Sequence, residues 1–309
     1  MDPTTPTLLG EIRPKIRETL DEIGDESIKD RITIRIDREL DSNEVIQRAI
    51  ELIKEAWGVN ENELRVYELE RKAILEKIKN MPFFKNMNIK DVAYSEKVKE
   101  YAFISVDNAL YILDEDLTGL YKIDSKETIT LDGLKLFDND FIVDKSYTYK
   151  YEHVSEYEVG FLATGYIIKD GQKVGIFTQG IKANGYIVWH KEFYYERYPW
   201  LKDIDILEMI SRYKISPVLI TQRDNKIYII EENEGGDLEI VREIQNESDA
   251  YVYVISDKDG RDIYLILYKV HAIPIEETII SPTLGLSYRE YKYETEISVA
   301  KITPLSLLI

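Results

Sequence analysis

Asp107 ends the apolar run Phe103-Ile-Ser-Val, a pattern that predicts a short strand delivering a carboxylate from a rigid edge. A carboxylate held that way can stand about 2.1 Å from Mg²⁺ or Mn²⁺, the distance such hard cations require of an oxygen ligand. Further along come Glu208, inside a segment Asp203–Tyr213 that reads as a helix between Pro199 and Pro217, and Asp224, just past the apolar run Val218–Thr221. Tyr291-Lys-Tyr293 and Ala300-Lys-Ile302 close the series. His153, His190 and His271 lack metal-ligand spacing and read as structural. With no cysteine in the chain, disulfides, thiol nucleophiles, iron–sulfur clusters and cysteine-ligated zinc are excluded. Walker, GxGxxG and GxSxG elements are absent too, which argues against nucleotide and serine hydrolases.

The order strand-borne Asp107, helical Glu208, strand followed by Asp224 and late tyrosine-rich Tyr291 resembles the archaeal NurA nucleases, which carry an RNase H-like metal site. The resemblance runs in order only, from about Tyr101 to Thr303. It implies Asp107, Glu208, Asp224 and Tyr291 as catalytic residues, and Asp107, Glu208 and Asp224 as ligands of Mg²⁺ or Mn²⁺. Departures weaken the implied site. Asp107-Asn108-Ala109 replaces Asp-Gly-Ser, Gln222 stands at a strand-end Asp, and Val299 stands where the family has a histidine. A degraded scaffold therefore fits better than an active nuclease. Leu113-Asp114-Glu-Asp116-Leu117 resembles the Asp-x-Asp of nucleotide-sugar transferases, but no nucleotide-binding βα unit precedes it, so an acidic turn is the better reading.

Arg31-Ile-Thr-Ile-Arg-Ile36 alternates strictly and predicts a strand. Followed by two helices with Gly58-Val-Asn60 at their joint, it resembles the ribbon-helix-helix regulators, which implies Arg31, Thr33 and Arg35 as major-groove contacts. Its first helix is too long by more than a turn. The aromatic stretch Trp189, Phe193, Tyr194, Tyr195, Tyr198 and Trp200 reads as a packed strand-to-helix corner rather than a binding hot spot.

The elements that must position these residues divide near Pro82–Asn88, where both tyrosine use and hydrophobic period change. Residues 1–88 read as mainly helical: Leu8 to Ile23, Asp41 or Ser42 to Trp57, and Glu61 to Asn80 after the cap Asn60, with one short strand at Arg31–Ile36. Residues 89–309 read as β-rich with one internal helix. Asp170-Gly171, Asn184-Gly185 and Asp259-Gly260 supply turns, and a proline-free stretch from Phe83 to Tyr198 suits central strands. The expected fold class is α+β, an N-terminal helical region followed by a larger domain that the resemblance makes RNase H-like. The final Leu305, Leu307, Leu308 and Ile309 should pack on that domain or on a partner subunit.

With 309 residues and 44% hydrophobic content, the chain can fill a sizeable core. A 32% charged fraction without cysteine resembles heat-adapted proteins, and suggests an archaeon or its virus. No apolar run nears the ~18 residues of a membrane helix, and Met1-Asp2-Pro3 lacks a basic leader. The expectation is a cytoplasmic protein, or a virion component if viral. Its leading function is non-catalytic interaction or assembly with a protein partner or with itself. A nuclease is the alternative and a transcription regulator the third reading; no cofactor is expected outside the nuclease case.

The net charge of −18 is spread along the whole chain, whereas nucleic-acid affinity depends on Lys and Arg displacing phosphate counterions. Titration of a labelled duplex at ~150 mM salt should show at best weak binding. Submicromolar affinity with a steep salt slope would overturn this expectation.

Overall fold

A computed structural model of the chain describes residues 30–123, 147–157, 160–212, 215–233, 235–246, 250–281 and 286–303. The expected helix Leu8–Ile23 and the apolar tail Leu305–Ile309 lie outside the described residues. What is described falls into two compact units. The first comprises the chain up to Leu64 together with Asp249–Ile255 and Asp262–Thr303, and the second comprises Arg65–Ser248 with Ser256–Arg261.

A five-stranded sheet has the order β1-β17-β16-β15-β2, numbered along the chain. The strands are β1 (Arg31–Ile36), β2 (Leu64–Val66), β15 (Tyr251–Asp257), β16 (Ile263–Ser281) and β17 (Leu286–Ile302). Helix α1 (Ser42–Trp57) packs on β16 and β17. It starts where the sequence says it should. The Asp41 carboxylate accepts from Asn43 N and Glu44 N, Glu44 returns a bond to Asp41 N–H, and Gly58 at φ +67° ends the last turn. Val45, Ile46, Ala49, Ile50, Leu52 and Ile53 form the buried stripe, and Trp57 meets Tyr264 with ring centroids 5.5 Å apart.

The second unit contains three four-stranded antiparallel sheets, each a meander in chain order. They are β3 (Ile89–Ser95), β4 (Glu100–Ser105), β5 (Leu110–Asp114) and β6 (Leu120–Ile123); β7 (Tyr147–Tyr157), β8 (Gly160–Lys169), β9 (Gln172–Lys182) and β10 (Ile187–Tyr194); and β11 (Asp205–Arg212), β12 (Ile215–Arg223), β13 (Lys226–Glu232) and β14 (Leu238–Gln245). The first strands lie together, β3 beside β7 and β7 beside β11, and helix α2 (Tyr67–Lys79) packs on β3. Strand β8 shows why this stack forms. Its odd residues Phe161, Ala163 and Ile167 join a core with Ala102, Ile104 and Ile112 of the first sheet. Its even residues Leu162, Tyr166 and Ile168 join another with Met209, Leu219 and Ile230 of the third. A sheet buried on both faces needs apolar residues at both parities.

The described residues therefore do not form the expected α+β fold of an N-terminal helical region followed by a β-rich, RNase H-like domain. Seventeen strands and two α-helices make up the described residues, and the strand Arg31–Ile36 pairs with β17 from Arg31↔Ala300 to Ile36↔Thr295. Within Asp203–Tyr213, expected as a helix, Asp205–Arg212 is strand β11. The expected helix Glu61–Asn80 is a 3₁₀ turn capped by Asn60, the short strand β2 and then α2. The ribbon-helix-helix reading also fails on geometry. Strand β1 belongs to an intrachain sheet, with Arg31 and Thr33 bonded to Ser298 and Arg35 ion-paired to Glu296 at 2.7 Å. No helix among the described residues is long and apolar enough to cross a membrane.

Candidate functional site

Glu208 lies on β11 and is buried, with its Oε2 2.7 Å from Nη2 of Arg71 on α2. Arg71 Nε also stands 3.7 Å from Oδ1 of buried Asp91 on β3. Asp91 in turn accepts from the backbone N–H of Val92 and of Val154, both at 2.9 Å, which ties β3 to β7. His153 on β7 has Nδ1 3.3 Å from Asp91 Oδ2 and Nε2 3.1 Å from the carbonyl of Ile206 on β11. One guanidinium, one imidazole and two carboxylates thus bind the first strands of all three sheets to α2.

The charges in this cluster hold one another. Burial alone would depress Arg71, but the charges of Glu208 and Asp91 outweigh it and raise the guanidinium above its usual range. Burial likewise opposes a charged His153, yet its contact with Asp91 and the charge of Glu208 prevail over burial and over Arg71. The imidazole sits above its ordinary 6.5. Glu208 thus neighbours a resident cation rather than presenting an open carboxylate to a metal.

The other residues nominated for a metal site do not join it. Asp107 occupies the tight turn between β4 and β5, accepts from Ser105 Oγ, and is held below the usual carboxylate range chiefly by that bond. Asp224, at φ +54°, is one of two turn residues between β12 and β13. Tyr291 belongs to β17 in the first unit. Among the described residues no group of three His, Asp or Glu side chains is placed to hold a metal ion. The resemblance to the NurA nucleases fails with them. Its helical Glu is on a strand, and the three sheets of the second unit are antiparallel meanders, not an RNase H-like scaffold. The aromatic stretch from β10 to Trp200 is a packed corner, where Phe193 and Tyr198 are core and Trp189, Tyr195 and Trp200 cover it.

Among the described residues, the exposed apolar side chains include four on the β16–β17 hairpin where it runs beyond its neighbours. Strand β1 covers β17 only from Thr295 to Ala300, and β15, with 7 residues beside the 19 of β16, can accompany only part of that strand. Beyond those limits the two strands pair with each other, placing Tyr293 opposite Ala272 and Tyr291 opposite Pro274 on one face. Ile273 points to the other face with Lys292, and a register shift at Ile275 follows Pro274. Ile273, Ile275, Tyr291 and Tyr293 are 41, 61, 43 and 44% exposed. A two-stranded ribbon is marginal in water by itself, and exposed apolar side chains on both of its faces mark an interaction surface. The sequence showed the tyrosines, but not that their strand outruns its neighbours.

No family model matches the sequence, and no curated protein does. Among solved structures, the WD40 domain of Toxoplasma gondii coronin is similar at 13% identity and TM-score 0.31, over 71% of this chain and 46% of that one. A Lactobacillus plantarum protein aligns at 13% and 0.30, over 71% of this chain and 57% of that one. The WD40 propeller domain of Doa1 aligns at 10% and 0.26, over 72% and 95% respectively. The chain thus spans about half the length of the first two.

Removing Arg71 leaves two buried carboxylates short of a counter-charge, a change that costs about 3–5 kcal/mol. Arg71→Met should lower stability by that order in chemical denaturation, and Arg71→Met with Glu208→Leu should recover a large part. A single variant as stable as the wild type would show that the cluster is incidental. Because His153 is raised in the folded state, its contribution is complete below 6.5 and is lost as pH rises through the folded value. Melting curves across that interval should fall more steeply for the wild type than for His153→Asn, and parallel curves would refute the assignment.

Proposed function

We propose that this chain is a non-catalytic interaction or assembly protein that docks a protein partner, or a second copy of itself, on the outer β16–β17 ribbon. The observation that carries this reading is the exposure of Ile273, Ile275, Tyr291 and Tyr293 on a two-stranded extension of a larger sheet. Tyrosine is suited to such a surface because its ring supplies contact area while its hydroxyl stays solvated. The acidic cluster in the second unit supports the same conclusion, since its carboxylates are engaged by Arg71 and His153. The charge of −18 favours a protein partner over nucleic acid. We read the host as heat-adapted, an archaeon or its virus, from the charged, cysteine-free composition.

Tyr291→Ser with Tyr293→Ser and, separately, Ile275→Ser should leave the melting temperature within a degree or two, because exposed positions contribute little to folding. Each should shift the oligomeric state in light scattering or abolish photocrosslinking of partners from a host lysate through a probe at position 273. Variants that change neither readout would exclude the ribbon as the docking surface.

A further inference from the structure

A second group of acids, away from Arg71, lies where the first sheet of the second unit meets a turn of the next. Glu100 on β4 and Asp114 on β5 are directly opposite in register, with their carboxyl groups within hydrogen-bonding reach of each other. Glu100 is 2% exposed. Its Oε1 accepts from the backbone N–H of Asn184 at 2.7 Å, while Oε2 is buried with no hydrogen-bond donor. No lysine, arginine or histidine among the described residues pairs with either carboxylate.

Neutral side-chain oxygens lie close by. Thr118 Oγ1 lies 3.2 Å from Asp114 Oδ2, and the Tyr121 hydroxyl lies 3.2 Å from Asn184 Oδ1. Gly119 closes the group: a Cβ there would stand 2.5 Å from Asp114 Oδ2 and 2.8 Å from the Tyr121 hydroxyl, so these two oxygens converge where only a hydrogen fits. Asn184 and Gly185, at φ +60° and +73°, form the β9–β10 turn, and a Cβ on Gly185 would strike Ile123 Cδ1 at 2.5 Å. The turn is therefore seated against β6. Two carboxylates in such a place repel unless something positive lies between them.

We propose that Glu100 and Asp114, with the neutral oxygens of Tyr121 and Asn184, bind a hard divalent cation of the calcium class that fastens the β5–β6 turn to the β9–β10 turn. Calcium accepts six to eight oxygen ligands in flexible geometry and combines carboxylate and amide carbonyl oxygens with water. Magnesium demands a stricter octahedron and holds its waters, so this mixed set suits it less. Burial, opposed by the Asn184 N–H and reinforced by Asp114, pushes Glu100 up to about 7. That is the response of a carboxylate whose charge the protein alone does not neutralise. The proposal is independent of the ribbon, which belongs to the other unit.

Full-length protein stripped with chelator and titrated with CaCl₂ or MgCl₂ in a calorimeter tests it. Calcium should bind with a dissociation constant of about 10⁻⁴–10⁻³ M, and should raise the melting temperature at saturation. Glu100→Gln and Asp114→Asn should each weaken binding at least tenfold while remaining folded. Stripped Glu100→Gln should melt at or above the stripped wild type, since an amide donor there relieves the repulsion. Should one variant fail to fold, the other with Tyr121→Phe carries the same comparison. Absence of calcium binding by the wild type overturns the proposal. A stability that rises on acidification below pH 7 and ignores both cations would assign the pair to a shared proton instead, and equally overturns it.

Discussion

The Arg71 guanidinium is the interaction on which the second unit depends. Each of its three sheets could form as an independent meander, but nothing in a meander fixes the angle or the height at which it meets the next. Hydrophobic burial is non-directional. The cluster supplies direction: Asp91 of β3, His153 of β7 and Glu208 of β11 can all be satisfied only if the first strands are at one height and α2 lies against them. Replacing such a group with apolar residues can be neutral in stability, so its effect is to specify one packing among several.

This constraint also explains where the sequence misleads. Register shifts between Ile206 and Glu208 and between Ile210 and Arg212 break the period of two in β11, and two of its buried residues, Glu208 and Arg212, are charged. A hydrophobic pattern therefore shows no clean alternation there. What remains visible is Ile206, Met209 and Ile210, a three- and four-residue spacing that imitates a helix. Glu208 could be found as a residue of interest, but its partner could not. Arg71 sits 137 positions earlier on a helix whose surface is otherwise charged, and no spacing rule connects the two.

Local chemistry was legible. The cap at Asp41, the stop at Gly58, and the turns Asp170-Gly171 and Asn184-Gly185 stand where the sequence placed them, because each depends on backbone groups within a few residues. Asp107 and Asp224 were recognised as carboxylates at strand ends, yet a strand end is also where a hairpin turns, and Asp serves turns at least as well as it serves metals. The exposure of Tyr291 and Tyr293 escaped because it depends on strand lengths in a sheet whose members are far apart in the chain.

The pairing of β1 with β17 joins Arg31 to Ala300, positions far apart in the chain. Such a contact cannot form until Ala300 has left the ribosome, whereas the second unit draws mostly on the continuous stretch Arg65–Ser248. Synthesis therefore favours an order in which the meanders mature first and the five-stranded sheet assembles last. Until then the strand Arg31–Ile36 waits without its ladder. Its arginines at positions 31 and 35 act as gatekeepers in that interval, discouraging the unpaired segment from joining another nascent chain.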